Sequence, residues 1–248
     1  MLKLLIKMIK AKKIAALLTG RGGSTLKNKN ILPVCGRPLL YYPAMAARGS
    51  GYITDFYVSS DDDKILKLAG GFGYKMIKRP ARLARPASQH ITAIIHALDF
   101  MAGKDHLSPD ILVVLLANSV TTKTRWIDEC IRMILKDDTI SAVVPVNLDL
   151  DHHPFRAKKI NKDGFLDTFF KFGESEVSTN RQDLEESYFL CHNFWVLNLG
   201  RSVYARPGQQ PWRFMGEKIK PYIVEECFDV HDQEDIKTSE NWVKNNFK

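Results

Sequence analysis

Residues 14–30 read IAALLTGRGGSTLKNKN, an apolar run that passes directly into a glycine-rich, basic turn. The run at 14–18 is long enough for one buried strand and too short for a buried helix. In the turn, glycines let backbone N–H groups converge, and Arg21 and Lys29 add positive charge. We predict that this turn binds phosphate groups. Its spacing matches neither the P-loop nor the G-x-G-x-x-G pattern, so an ordinary solvated loop is the alternative.

The composition describes an ordinary globular protein. Of the 248 residues, 45% are hydrophobic and 26% are charged, which suits one large domain or one domain with an insertion. The longest apolar run, residues 111–117, is too short to cross a bilayer, so we expect no membrane span. The formal net charge is +8, but five lysines lie within residues 1–13 and leave +3 for the rest. We therefore expect no nucleic-acid partner.

Residues 1–13, MLKLLIKMIKAKK, form a basic N-terminal extension. Its pattern suits a basic amphipathic helix on a membrane surface, the start of a signal peptide, or an upstream extension before initiation at Met8. Lysines interrupt any apolar core of a signal peptide. We favour a loosely ordered tail and assign it no function.

The four cysteines are widely separated and form no C-x-x-C pair; they are Cys35, Cys130, Cys191 and Cys227. This pattern favours free thiols over a disulfide framework or a zinc site. We therefore predict a cytoplasmic protein.

Strand-like and helix-like stretches alternate along the first 146 residues. The predicted strands are residues 14–18, 55–59, 74–78, 111–116 and 141–146, and the predicted helices are residues 39–48, 60–72, 92–104 and 125–136. This alternation is typical of a parallel α/β sheet. A short strand at 223–224 and a helix at 233–246 complete the prediction.

The alternation stops at residue 147. Residues 147–195 contain two strand-like pieces, 156–161 and 165–172, joined by a turn at 162–164, and are rich in aromatic side chains. An antiparallel hairpin with this much apolar surface needs a cover. A symmetric partner is the economical cover, so we expect a homodimer.

Several motifs extend the turn into a recognisable series. Residues 19–40 read TGRGGSTLKNKNILPVCGRPLL, residues 58–62 VSSDD, residues 79–84 RPARLA and residues 227–235 CFDVHDQED. These segments resemble the acylneuraminate cytidylyltransferases, which make CMP-sialic acids and their relatives. In that family the four corresponding segments usually read, in the same order, A-R-G-G-S-K-G-I-P-x-K-N-I-x-x-L-x-G-K-P-L, V-S-T-D-D, R-P-x-x-L-A and I-D-I-D-x-x-x-D. The loop after Ser24 is one residue shorter here.

The resemblance implies an α/β, Rossmann-like nucleotidyltransferase with a mostly parallel central sheet and an inserted antiparallel dimerisation hairpin. Residues 14–248 would form this domain, with 147–195 as its dimerisation and sugar-binding insertion. The implied reaction is attack by the anomeric hydroxyl of an eight- or nine-carbon 3-deoxy-2-keto acid sugar on the α-phosphorus of CTP, giving a CMP-sugar and pyrophosphate. The acceptor stays open among sialic, legionaminic, pseudaminic and Kdo-like acids.

The resemblance also assigns roles to residues. The implied catalytic residues are Arg21 and Lys29. The implied nucleotide-binding residues are Gly22, Gly23, Ser24, Asn30, Arg79 and Ser88. The implied sugar-binding residues are Asn118, Ser119, Arg156 and His192, and the implied Mg²⁺ ligands are Asp229 and His231.

Three positions depart from the family pattern. Ala117 stands in place of a glutamine that contacts the sugar, and His231 stands where a second metal-binding aspartate is expected. His90 follows a segment that lacks the family's Asp and small hydroxyl residues. One interpretation is that Ser88, or Gln89 with His90, does the work of those hydroxyls at a shifted position; the other, which we expect, is that His90 is an exposed loop histidine. Two alternatives follow: a same-fold enzyme for another nucleotide or acceptor, and a nucleotide-binding homologue without activity.

Overall fold

A largely parallel β-sheet forms the centre of the protein, of which a computed structural model describes residues 12–23, 26–172 and 176–247. Ser24 and most of the basic extension lie outside the described residues. The strands are β1 Ile14–Thr19, β2 Pro33–Val34, β3 Arg37–Pro38, β4 Asp55–Ser60, β5 Lys75–Lys78, β6 Ile111–Leu116, β7 Ala142–Leu148, β8 Lys158–Ile160, β9 Leu166–Thr168, β10 Tyr188–Leu190, β11 Phe194–Asn198 and β12 Ile219–Ile223. The helices are α1 Tyr41–Arg48, α2 Asp63–Gly71, α3 His90–Lys104, α4 Thr124–Lys136 and α5 Gln233–Asn246.

The sheet has a parallel half and a mixed half. In the parallel half, β1 lies between β4 and β6, and β5 pairs with the outer edge of β4. In the mixed half, β11 runs antiparallel to β6 and β7, β10 continues the pairing along β7, and β12 is parallel to β7. The predicted α/β class with a mostly parallel sheet is confirmed.

Helices on both faces of the sheet explain the uninterrupted apolar runs of β1 and β6. Along β1, Ala16 and Leu18 pack into the core that contains α1, α2, α4 and α5, whereas Ala15 and Leu17 pack into the core that contains α3. Because successive side chains of a strand point to opposite faces, a strand covered on both sides must be apolar throughout.

Two of the differences between predicted and observed element boundaries have a clear physical cause. Helix α2 begins at Asp63 because the Asp62 carboxylate caps it, accepting a hydrogen bond of 2.7 Å from the Lys64 N–H. The strand predicted at 223–224 covers Ile219–Ile223 instead. Pro221 argued against a strand here, because proline is largely confined to edge strands. Strand β12 is such an edge strand, paired with β7.

The predicted hairpin is present but shorter than expected. Strands β8 and β9 form a separate two-stranded antiparallel sheet. Its apolar side chains are strongly exposed, among them Ile160 at 74% and Leu166 at 73%. Strand β10, at the end of the predicted insertion, pairs instead with β7 of the central sheet.

The prediction of four free thiols is wrong for two of the cysteines. Cys191 and Cys227 form a disulfide with a Cα separation of 5.8 Å, whereas Cys35 and Cys130 are free. The fold brings together two residues 36 positions apart, and their spacing in the sequence gave no sign of this. The cytoplasmic prediction assumed that the cysteines are free thiols, and this pair does not meet that assumption. Within the described part of the chain, no helix has the length and apolar character that a bilayer span requires.

Candidate active site

A cavity of about 480 Å³ opens where β1 and β6 end. Thr19 closes β1 and Leu116 closes β6, and both line it. The carboxyl ends of parallel strands are where open α/β sheets bind ligands. The cavity brings together predicted site residues from distant parts of the chain: Arg21, Lys29, Asn30, Arg79, Ser88, Asn118 and His231.

Two buried side chains form hydrogen bonds to the backbone of the glycine-rich turn. The Arg79 guanidinium donates to the Gly20 carbonyl, and Asn30 Nδ2 donates to the Arg21 carbonyl at 3.0 Å. Both side chains are nearly inaccessible, at 6% and 5% exposure. Arg79 and Asn30 were predicted to face the nucleoside. They line the cavity, and their hydrogen bonds fix the path of the turn.

Asp61 also shapes the turn. Its Oδ1 accepts a hydrogen bond of 3.0 Å from the Gly22 N–H and lies 3.9 Å from Arg79 Nη2. The Gly22 N–H, predicted to bind phosphate, is therefore engaged by a carboxylate in this structure. The position of Asp61 directly after β4, at the same sheet edge as the turn, was the available signal.

Positive charge is concentrated around the turn. Burial is the main cause that lowers the pKa of Lys29 below its ordinary 10.5, and the Asp229 carboxylate opposes that shift. Burial likewise lowers the pKa of Arg79, while Asp61 opposes it. The charge of Arg21 adds to the lowering at both residues. Three cations that repel one another in a partly desolvated cavity favour a bound polyanion.

The carboxylate of Asp229, whose charge acts on Lys29, lies in a small polar cluster. Asn118 Nδ2 donates to Asp229 Oδ2 at 2.9 Å, and His231 Nε2 lies 3.0 Å from the same oxygen. The backbone holds the segment as well, because the Val230 N–H donates to the Asn118 carbonyl at 2.8 Å. The residues that follow β6 and those that precede α5 therefore meet at one edge of the cavity.

His90 is not the exposed loop histidine that we predicted. It begins α3 and is partly buried, with Nε2 3.0 Å from Thr19 Oγ1 and its ring centroid 5.1 Å from that of Trp195. Burial, followed by the charges of Arg79 and His192, lowers its pKa to about 4. His90 is therefore a neutral imidazole in the wall of the cavity at physiological pH.

The family model described as Cytidylyltransferase matches residues 15–162, more than half of the chain. The chain belongs to the cytidylyltransferase family. N-acylneuraminate cytidylyltransferase A of Danio rerio is 29% identical over 162 residues, which cover 64% of this chain and 35% of that protein. Pseudaminic acid cytidylyltransferase of Campylobacter jejuni is 22% identical over 174 residues, 69% of this chain and 72% of that protein. The resemblance noted in the sequence is confirmed, although the chain spans only about a third of the fish protein's length.

Solved structures show the same fold. CMP:2-keto-3-deoxy-manno-octonic acid synthetase complexed with CTP superimposes with a TM-score of 0.65 at 14% identity, covering 95% of this chain and 100% of that one. The 4-diphosphocytidyl-2C-methyl-D-erythritol synthase of Anaerococcus prevotii gives 0.64 at 16% identity, covering 96% and 99%. At these identities the likeness establishes the fold alone.

Ser119, Arg156 and His192 do not line the cavity, and neither do Asp229, Gly22 and Gly23. Ser119 is fully buried, and its Oγ donates to the Phe228 carbonyl at 2.7 Å, so it anchors the segment before Asp229. Arg156 lies exposed at the end of the one-turn helix Pro154–Arg156. The His192 ring packs near Trp212, with centroids 5.7 Å apart. A sugar-binding role for Ser119 does not fit this burial.

Of the two predicted magnesium ligands, the Asp229 carboxylate suits the metal better than His231 does. No group of three or more His, Cys, Asp or Glu side chains that could hold a metal exists among residues 12–23, 26–172 and 176–247. Mg²⁺ ordinarily takes one or two carboxylates together with water and substrate phosphates. The Asp229 carboxylate fits that requirement, whereas His231 is a poor magnesium ligand and is placed to hold Asp229.

Gly22 and Gly23 provide a matched pair for testing the glycine-rich turn. A Cβ on Gly22 would lie 2.9 Å from Asp62 Cβ, whereas one on Gly23 meets nothing within 4 Å among the described neighbours. We expect Gly22→Ala to lower the free energy of unfolding by about 1–3 kcal/mol because the cap of α2 must shift. Gly23→Ala should change it by less than about 0.5 kcal/mol. Thermal melts of both variants measure this difference. Equal losses of stability in the two variants would contradict the prediction.

Proposed function

We propose that this protein transfers CMP from CTP to a 3-deoxy-2-keto acid sugar and releases pyrophosphate. The observation that carries the proposal is the cavity that gathers Arg21 and Lys29 with Asn118 and His231, the two side chains that contact Asp229. Membership of the cytidylyltransferase family supports the nucleotide. The names of the fish and Campylobacter relatives support acidic sugars of the sialic and pseudaminic type as acceptors.

The proposed reaction needs positioning and charge neutralisation more than covalent chemistry. The anomeric oxygen forms a bond to the α-phosphorus while the bond from that phosphorus to the bridging oxygen breaks, and pyrophosphate leaves. Charge on the departing phosphates grows as this bond breaks. Lys29 and Arg21 both line the cavity, burial partly desolvates Lys29, and the charge of Arg21 acts on Lys29. We expect both cations to contact the phosphate oxygens. Fixed cations in such a cavity stabilise the developing charge without reorganisation.

Asp229 would hold a magnesium ion when CTP binds, with phosphate oxygens and water as the other ligands. The ion would supply further neutralisation of the triphosphate and polarise the α-phosphate. The protein's own contribution is the orientation of the carboxylate. Asn118 donates to Oδ2 at 2.9 Å, and Ser119 anchors the preceding carbonyl at 2.7 Å.

Two measurements test the proposed function together. Thermal melts with CTP, GTP, UTP and ATP identify the nucleotide, since a ligand that binds only the folded state raises the melting temperature. Pyrophosphate release with CTP, Mg²⁺ and a panel of sialic, legionaminic, pseudaminic and Kdo-type acids identifies the acceptor. We expect CTP to give the largest stabilisation and at least one acid to support turnover. A larger shift with another nucleotide, or no turnover with any acid, would contradict the proposal.

One alternative is a nucleotide-binding homologue without activity. The observation in its favour is that His231 Nε2 lies 3.0 Å from Asp229 Oδ2, and that His231 stands where the family has a second aspartate. Stabilisation by CTP without pyrophosphate release from any acid would support this alternative.

We propose further that the protein acts as a homodimer joined through the β8–β9 hairpin. Ile160, Phe165 and Leu166 are 74%, 69% and 73% exposed, and an apolar surface of this kind is typical of an interface. Arg156, two residues before β8 and exposed, would then reach the partner's cavity and bind the sugar carboxylate.

The dimer is tested by sedimentation velocity. We expect the wild-type protein to sediment as a dimer and Leu166→Asp to sediment as a monomer with lower turnover, because a charge at the centre of an apolar interface is costly to bury. Lys162→Ala, in the turn of the same hairpin, is the matched control and should remain dimeric. A monomeric wild-type protein would contradict the proposal.

A further inference from the structure

The segment that carries Asp229 belongs to no helix or strand. Residues 224–232 connect β12 to α5, and Asp229 lies near their middle. Backbone of this kind has no regular ladder of hydrogen bonds, so contacts with neighbouring elements must fix its path. The direction of the Asp229 carboxylate therefore depends on what holds residues 224–232.

The hydrogen bonds at Phe228 and Val230 run to one loop. The Phe228 carbonyl accepts from Ser119 Oγ at 2.7 Å and from Thr121 Oγ1 at 3.3 Å. The Val230 N–H donates to the Asn118 carbonyl at 2.8 Å. All three partners belong to the loop that leaves β6. These bonds hold the segment along a single line of contacts.

A covalent bond ties the same segment to a second element. Cys227, two residues before Asp229, forms the disulfide with Cys191, which precedes β11. Cys191 is 1% exposed, and its N–H donates to the Pro145 carbonyl at 2.8 Å. Its carbonyl accepts from Trp195 Nε1 at 3.2 Å. Because Pro145 lies on β7 and Trp195 on β11, the disulfide fastens the segment to the central sheet.

We propose that the Cys191–Cys227 disulfide positions Asp229 to hold Mg²⁺ with CTP, and that reduction of the bond by a dithiol weakens this binding reversibly. Groups that orient a metal ligand without touching the metal commonly contribute about 10–100-fold to metal affinity. In the reduction, two electrons and two protons pass from the dithiol to the two sulfurs, which become thiols, and the dithiol becomes a disulfide. The inference rests on the proposed function, because it takes CTP and Mg²⁺ as the ligands.

Calorimetry of CTP binding, in Mg²⁺ and in EDTA, tests the inference without any sugar. Dithiothreitol reduces the wild-type protein, and mass spectrometry after thiol alkylation counts the two new thiols. We expect the gain in CTP affinity from Mg²⁺ to fall about tenfold on reduction, and to return on reoxidation with oxidised glutathione. The double variant Cys191→Ala/Cys227→Ala should show the same loss and no response to dithiothreitol.

Cys130→Ser separates positioning from a general loss of stability. Cys130 is buried on α4 and does not line the cavity, so a hydroxyl there should lower the melting temperature without moving Asp229. We expect this variant to keep the wild-type gain from Mg²⁺. A purely structural disulfide would give a lower melting temperature and an unchanged gain in the double variant, and that result would overturn the inference.

The outcomes distinguish this inference from the proposed function. If the wild-type protein binds no CTP, both are overturned. If Mg²⁺ does not strengthen its binding of CTP, if reduction leaves the gain unchanged, or if the untreated protein has four free thiols, the role of the disulfide is overturned. If the gain falls on reduction but no acid supports turnover, the disulfide keeps its role and the proposed transfer reaction is overturned.

Discussion

Lys29→Ala should lower kcat/KM for pyrophosphate release by about 10²-fold or more while leaving the fold intact. Removing one charge-assisted donor from a preorganised site commonly has an effect of this size. Lys29 is partly exposed and lines the cavity, so its loss creates no hole in the core. Steady-state kinetics with CTP and the best acceptor measure the effect, and thermal melts check the fold.

Lys27→Ala is the matched control. Lys27 lies two residues earlier in the same turn and carries the same charge, but it is exposed and outside the cavity. We expect a change of no more than a few-fold, since exposed charges act mainly through a screened field. Equal losses in both variants would mean that net charge, and not the position of Lys29, supports the reaction.

The pH profile gives an independent check on Lys29. Burial lowers its pKa below 10.5, so the protonated form is lost at a lower pH than for an ordinary lysine. The alkaline limb of kcat/KM should therefore begin below that value. Lys29→Arg should move the limb upward, because arginine stays protonated.

The sequence predicts most of the fold because the fold is built from strongly patterned elements. The run ILVVLL predicted β6 at its observed bounds, since a strand covered on both faces must be apolar throughout. Helix α5 was predicted at its observed bounds as well. Its start has a capping box, in which Asp232 and Asp235 satisfy each other's backbone.

The parts that the sequence did not predict depend on contacts between distant residues. The bond from the Gly22 N–H to Asp61 joins positions 39 apart, and the Cys191–Cys227 pair joins positions 36 apart. The local pattern placed Asp61 at the same sheet edge as the turn, but it could not show which group Asp61 contacts. His90 was misjudged for the same reason, because its ring packs near Trp195, which lies on β11.

Asp229→Asn should lower kcat/KM by about 10²-fold and raise the Mg²⁺ concentration needed for half-maximal rate. The substitution removes a full charge but keeps the shape, and the new amide oxygen can still accept from Asn118. Loss of a carboxylate ligand weakens magnesium binding and its neutralisation of the triphosphate. Rates measured over a range of Mg²⁺ concentrations separate this effect from a defect in folding.

Asp229→Asn should also change the pKa of Lys29. The Asp229 carboxylate raises the pKa of Lys29 and partly offsets burial. Without that charge the pKa of Lys29 falls further, so the alkaline limb should move to lower pH than in wild type. Glu234→Gln is the control, because the exposed Glu234 carboxylate forms its ion pair with Lys237 on the surface of α5. An unchanged limb and an unchanged Mg²⁺ requirement would show that Asp229 and Lys29 do not act on a shared triphosphate.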